Sequence, residues 1–430
     1  MKPVLRASEM RDFERALIAS GREDELTLME RAARALAETV LERYRPATAL
    51  IVCGGGNNGG DGLAAARLLR GAGVEAAVLL AAEESRLGES ARAQLRRWNA
   101  PVYREFSDLP EGPFDCVVDA LFGTGLSRPV SARHAALIER VQALGAPVIA
   151  ADMPSGVDGG SGRVLGAALK ADLTLSFQWL KTGQIFEPGR SYAGECLVRP
   201  IFDAEPPAGA AVQFEEEDAA RLLPPRPADS HKGRNGRLLL CAGSTAYTGA
   251  ALLAAAAALR AGAGITSAAV PRDIKPAFVA LPEVCCLPVG GGGRWDKAAL
   301  AEAAALVDTQ DALALGCGMG VCEDASLLEA MLTAGKPLVI DADGLNLLAA
   351  HPPLLRRGLH AGVVLTPHPA EMARLCGREI GGILADPMAA AAEAAESWGC
   401  TLLLKGAVSC VAHGGRTVLI AAGNSGLAKG

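Results

Sequence analysis

The chain has 430 residues, room for two domains of ordinary size, and half of them are hydrophobic. Its formal net charge of −6 without a concentrated basic tract argues against nucleic acid and anionic membrane surfaces as partners. Eleven cysteines, mostly inside apolar stretches such as those around Cys53, Cys116, Cys241 and Cys410, read as core residues of a reducing compartment. With no apolar signal core and no run of 18 apolar residues, the chain is expected in the cytoplasm.

In chain order, residues 1–45 read as helical, with Ser8 capping a helix through Ala19 and Thr27 capping another to Tyr44. The apolar run Ala47–Cys53 is a strand, followed by the loop Gly54–Gly62 and a helix through Arg70. Strands are predicted at Val74–Leu80, Asp115–Ala120, Pro147–Ala151, Ala171–Phe177 and Cys196–Val198, with helices at Glu89–Asn99 and Ala135–Ala143. This alternation predicts an α/β, doubly wound parallel sheet. Pro- and Ala-rich segments around 206–230 separate a domain at 1–205 from a second at 231–430. There the alternation resumes: strands at Arg237–Ala242, Thr266–Val270, Ala312–Leu315, Leu338–Asp341, Val363–Thr366 and Thr401–Lys405, with a helix at Gly249–Ala261.

The loop at 54–62, GGGNNGGDG, lies between a strand and a helix, where close-approaching backbone amides and a helix N-terminus favour a phosphate. Asn57, Asn58 and Asp61 place amide and carboxylate groups in the loop, unlike a hydride-transfer fingerprint. Asp119 and Asp152 close later strands. In a parallel sheet such strand ends share one crevice, so Asp61, Asp119 and Asp152 are expected to converge with Asn58 and Ser155. Oxygen donors gathered around a phosphate call for a cation, and the neutral asparagine and serine suit a monovalent one.

These segments, with Val118–Pro129, Ala151–Gly162 and Ala171–Gly189, resemble the NAD(P)H-hydrate epimerase domain. The resemblance implies a Rossmann-like domain that interconverts R and S hydrates of NADH and NADPH (NADHX and NADPHX). It implies that Asn57, Asn58, Gly59, Gly60 and Asp61 hold the hydrate together with Gly123, Thr124, Gly125, Leu126, Ser127, Arg128 and Pro129. Asn58, Asp119 and Ser155 would ligate K+, and Asp152 would touch the substrate. Epimerisation requires loss and return of water or an equivalent ring opening. A carboxylate can move the proton and stabilise the cationic intermediate, which makes Asp152 the first catalytic candidate and Asp61 the second.

In the second domain Asp229–Thr248, Gly316–Gly320, Asp341–Asn346, Thr366–Glu371 and Lys405–Ser409 form polar turns at strand ends. Their ordered set resembles the ADP- or ATP-dependent NAD(P)H-hydrate dehydratase domain, ribokinase-like in fold. The resemblance implies that nucleotide hydrolysis, with Mg2+, drives loss of water from the S hydrate. Ala250, Gly318 and His368 would contact the hydrate, and Lys405, Gly406, Ala407, Val408 and Ser409 the nucleotide, with Asp341 and Asn346 near the metal and phosphates. Members of that family continue past the stretch matching Asn424–Gly430 into Gly-Ser-Gly-Asp, so an ending at Gly430 predicts an incomplete dehydratase half. A ribokinase-like small-molecule kinase and a non-catalytic nucleotide-binding scaffold are the alternatives. Expected partners are the hydrates, ADP or ATP, and copies of the chain in a homo-oligomer.

Overall fold

The apolar runs do become strands, and both units wind a parallel sheet between layers of helices. The computed structural model describes residues 1–423 and divides into two compact units between Gln213 and Phe214. In the first unit seven parallel strands lie in the order Val102–Tyr103, Glu75–Leu80, Thr48–Cys53, Cys116–Ala120, Val148–Ala151, Leu173–Phe177, Glu195–Arg199. The chain works outward from Thr48–Cys53 to one edge, then returns to its other side with Cys116–Ala120. That reversal opens a crevice beyond the carboxyl ends of these two strands. Ala49, Ile51 and Cys53 pack on one face with Ala33, Leu36 and Leu63, while Leu50 and Val52 face Ile138 and Val141. Burial on both faces explains why the strands read as continuous apolar runs.

The first 45 residues are not all helical. Lys2–Leu5 is a strand that pairs in parallel with Leu180–Lys181, Leu5 opposite Lys181, and antiparallel with Ala211–Gln213. The following helix, Ala7–Ala19, starts after Arg6, whose amide donates to the Glu9 carboxylate at 2.7 Å, so Ser8 is not its cap. The helix Glu25–Arg43 is capped by Asp24, which accepts from the Thr27 amide at 2.9 Å. Thr27 is therefore the third helical residue, and the cap lies three residues earlier than expected.

A larger departure concerns the glycine loop. The helix begins at Asn57, not Gly62, and runs to Gly71, which leaves only Gly54–Gly56 as a turn. Packing explains it. A Cβ at Gly59 would lie 1.9 Å from the Gly54 carbonyl oxygen, and one at Gly60 2.5 Å from the Met29 Cε. One at Gly62 would lie 2.5 Å from the Ala120 Cβ. Each glycine forfeits about 1 kcal/mol of helix propensity, and in return the helix start presses directly on the strand ends.

In the second unit Cys285–Val289, Ile265–Pro271, Arg237–Cys241, Ala312–Leu315, Leu338–Ile340, Val363–Leu365 and Thr401–Leu404 run parallel in that order. Ser409–His413 and Arg416–Ile420 extend the sheet antiparallel. The sequence reading missed this hairpin, although Gly414 and Gly415, with φ of 52° and 76°, supply the two left-handed residues of a tight turn. The lead-in around 206–230 carries the strand Ala211–Phe214 and the helix Glu216–Leu222. Asn424–Gly430, on which the expectation of an incomplete dehydratase half rests, lies outside the described residues.

Candidate active sites

A cavity of about 660 Å³ occupies the crevice of the first unit. Asn57, Asn58 and Asp61 line it from the helix start, Gly123 to Arg128 from the loop after Cys116–Ala120, and Asp152 from the end of Val148–Ala151. Gly59, Gly60 and Pro129 do not line it; the two glycines are buried against Gly54 and Met29.

Asp152 has a φ of +65°, a left-handed conformation rare outside glycine and frequent where function holds the backbone in place. Its amide donates to the Leu175 carbonyl at 2.9 Å and its carbonyl accepts from Gln184 Nε2 at 2.6 Å. Its carboxylate forms an ion pair with Lys181, whose side chain is 1% exposed. Lys181 Nζ also donates to the Phe177 carbonyl at 2.8 Å and Ser176 Oγ at 3.1 Å, which uses all three ammonium protons. Sequence reasoning missed Lys181; the available signal was one lysine inside the otherwise uncharged stretch Leu173–Ile185.

Asp119 and Ser155 lie beneath the cavity, fully buried. Asp119 accepts from Ser155 Oγ at 2.5 Å, the Ser155 amide at 2.7 Å and the Leu121 amide at 3.2 Å. Burial nevertheless raises its pKa to about 6, against the pull of those hydrogen bonds. The loop from Leu121 to Gly123 joins this pair to Asn58. Phe122 donates its amide to Ser155 Oγ at 2.8 Å, and a Cβ at Gly123 would lie 3.0 Å from Asn58 Cγ. Both polar atoms of the Asn58 side chain are buried without a hydrogen-bond partner. Leaving an amide so is costly unless a ligand satisfies it. An orphaned amide oxygen beside a buried carboxylate and hydroxyl is a donor set that fits a hard monovalent cation such as potassium.

Besides Asp152 and Asp61, the carboxyl groups of Glu14 and Glu25 line the cavity. Burial, reinforced by Asp152, Glu14 and Glu25, pushes Asp61 well above the usual carboxylate range. Burial and then Asp152 raise Glu14 to about 7, although Lys181 and Arg11 oppose the shift.

In the second unit the strand-end groups are largely satisfied by one another. Lys405 Nζ lies 2.7 Å from Asp341 Oδ1 and 3.9 Å from the buried Glu371. Glu371 accepts from the His368 amide at 2.8 Å, and His368 Nδ1 accepts from the Ala370 amide at 3.1 Å, capping the helix Pro369–Cys376. Asn346 Oδ1 accepts from Arg374 at 2.9 Å. Gly318 and Ala250 do meet, since a Cβ at Gly318 would lie 2.8 Å from the Ala250 Cβ. Gly406, Ala407 and Val408 form the turn between Lys405 and the return strand, which Ser409 opens.

A Rossmann-type switch-point site followed by a second parallel α/β unit defines a class of two-part α/β enzymes. Residues 25–183 match the family described as YjeF-related protein N-terminus, and residues 238–430 that described as NAD(P)H-hydrate dehydratase. The bifunctional NAD(P)H-hydrate repair enzyme Nnr of Thermofilum pendens is 36% identical over 99% of this chain and 84% of its own length. The Escherichia coli K12 enzyme of the same description is 34% identical over 94% of this chain and 77% of its own. A solved structure, the ADP/ATP-dependent NAD(P)H-hydrate dehydratase of Bacillus subtilis co-crystallised with ATP and Mg2+, is 31% identical. It matches 51% of this chain and 76% of its own with a TM-score of 0.43. The chain belongs to the family of bifunctional NAD(P)H-hydrate repair enzymes.

Proposed function

We propose that this chain repairs hydrated nicotinamide cofactors, its first unit interconverting R and S NAD(P)HX and its second restoring NAD(P)H from the S form. The nucleotide is ADP or ATP with Mg2+. The observation that carries the epimerase reading is the Asp152 carboxylate, held by the buried Lys181 in a strained backbone conformation at the cavity wall.

The ring nitrogen of the hydrate pushes electrons toward the hydroxyl-bearing carbon, and the hydroxyl leaves as water once protonated. The ring then carries positive charge. Asp152, fixed in place before the reaction, stabilises that charge without having to reorganise. Water returning to the opposite face completes the inversion. The helix start at Asn57 takes the pyrophosphate on backbone amides. Gly59 and Gly60 serve by their absent side chains, and Gly123 to Pro129 form the opposite wall. Asn58, Asp119 and Ser155 would hold a potassium ion, which would supply positive charge to the site.

In the second unit Ala250, Gly318 and His368 face the hydrate, and Lys405 to Ser409 the nucleotide. Lys405 must give up Asp341 for a phosphate, and its present length of 2.7 Å marks the interaction that is exchanged. Eleven free thiols support a reducing, cytoplasmic setting. Among the described residues no helix is long and apolar enough to cross a membrane.

Chromatography of an R/S hydrate mixture incubated with the chain is the test. R/S exchange without nucleotide, and conversion to NAD(P)H only with ADP or ATP and Mg2+, are expected. A mixture unchanged in both arms overturns the reading.

A further inference from the structure

The cavity of the first unit holds one carboxyl group to which Asp152 and Asp61 leave a separate task. Glu14 reaches the cavity from the helix Ala7–Ala19, outside the stretch 25–183 that matches the epimerase family. That helix is firmly placed. Met10 and Leu17 are buried, and the Phe13 ring lies 5.1 Å from Trp179 and 5.8 Å from Phe202. One turn before Glu14, Arg11 donates to the Thr124 carbonyl at 2.5 Å and ties the helix to the loop on the opposite wall.

Among the described residues the Glu14 carboxyl has no hydrogen bond or ion pair. The charged groups around it are Arg11 on its own helix, Glu25 and Asp61 on the two helices beyond, Arg128 on the loop, and the Asp152–Lys181 pair. The carboxyl groups divide the labour. Asp152 is committed to Lys181, and its charge is needed by the cationic ring. Asp61 lies on the helix that begins at Asn57, and burial among other carboxylates raises it well above the usual carboxylate range. Glu14, raised to about 7, sits where a carrier must be to both give and take a proton.

Resting on the epimerase reading of this site, we propose that Glu14 is a catalytic residue, the carrier that protonates the departing hydroxyl of the hydrate and recovers the proton when water returns. In the forward step the Glu14 O–H bond breaks as the proton joins the hydroxyl oxygen, the carbon–oxygen bond breaks with its electron pair, and water departs. The ring nitrogen lone pair becomes the new carbon–nitrogen π bond, leaving a cation and the Glu14 carboxylate. Water then adds to the other face, the π pair returns to nitrogen, and the surplus proton goes back to Glu14. No oxidant, reductant or second substrate enters the balance.

The test measures R/S exchange by the full chain between pH 5.5 and 8.5, with binding of the hydrate followed separately by thermal shift. For the wild type the rate falls as pH rises through about 7, as the acid form is lost. Glu14→Gln is expected to slow exchange about 100-fold or more, to flatten that fall, and to keep hydrate affinity within threefold. Glu14→Asp, which retains a carboxyl group, is expected to recover part of the rate and a pH-dependent limb. Exchange by Glu14→Gln at the wild-type rate, or with the fall near pH 7 intact, overturns the proposal. So does a slowed Glu14→Gln whose rate is unrestored by Glu14→Asp although both variants melt cooperatively. A wild-type chain that leaves exchange at the uncatalysed rate overturns the epimerase reading itself, a result separate from any difference among the variants.

Discussion

The two units present their strand-end polar groups in opposite conditions. In the first, Asn58 has no partner, Asp61, Asp119 and Glu14 are raised by burial, and one lysine serves one carboxylate. In the second, Lys405 bridges toward Asp341 and Glu371, His368 caps its helix, and Asn346 is held by Arg374. The first site thus carries standing polar needs that a ligand and a cation would satisfy. The second is closed upon itself, so a ligand there would have to compete with internal partners. Unmet polar demand in a folded chain is a stronger pointer to bound groups than a matched cluster, because a matched cluster is already explained by its own stability.

Substitutions can break this contrast. Asp152→Ala is expected to slow R/S exchange by about 10²- to 10⁴-fold while nucleotide-dependent dehydration of pure S hydrate proceeds unchanged; a parallel loss of both would show that the units do not work independently. Lys181→Met strands the Asp152 charge and should destabilise the first unit by about 3–5 kcal/mol, read as an earlier first transition in calorimetry. Potassium at about 100 times its dissociation constant should stabilise the wild type by roughly 2.7 kcal/mol. Lithium should not, and Asn58→Ala should lose the effect. Lys405→Ala removes a charge-assisted contact and should weaken nucleotide binding by roughly 1.5–3 kcal/mol in titration calorimetry, with exchange untouched.

The smallest effect has a pH signature. Glu14 keeps its proton to about 7 when folded and loses it near 4.5 when unfolded. Between those values the folded chain binds more protons, so stability falls as pH rises and levels off above 7. Glu14→Gln abolishes that slope and should be the more stable protein at pH 8, by about 2 kcal/mol once partial exposure is allowed for. Equal denaturant midpoints at pH 8 would show that the buried charge is relieved by some other group.

The parallel sheets were legible because apolar runs alternate with polar turns, and the crevice because Asp119 closes one such run and Asp152 directly follows the next. The helix start at Asn57 was hidden, since a string of glycines reads as a loop until the contacts with Gly54, Met29 and Ala120 are seen. Lys181 was hidden because its partner is 29 residues earlier in the chain and its environment is made by three separate elements. Glu14 was hidden because an acidic residue on an amphipathic helix ordinarily faces water. What local pattern cannot reveal is which polar side chain tertiary packing turns inward.

The short strand Lys2–Leu5 carries a practical lesson. Leu5 is the register partner of Lys181, so the first few residues form one edge of the support beneath the ion pair at Asp152. Removing them, or fusing a purification tag that draws them out of the sheet, would loosen an epimerase whose recognisable motifs all remain intact. An inactive preparation would then report on how its leading end was engineered, and a tag cleaved back to Met1 is the proper control.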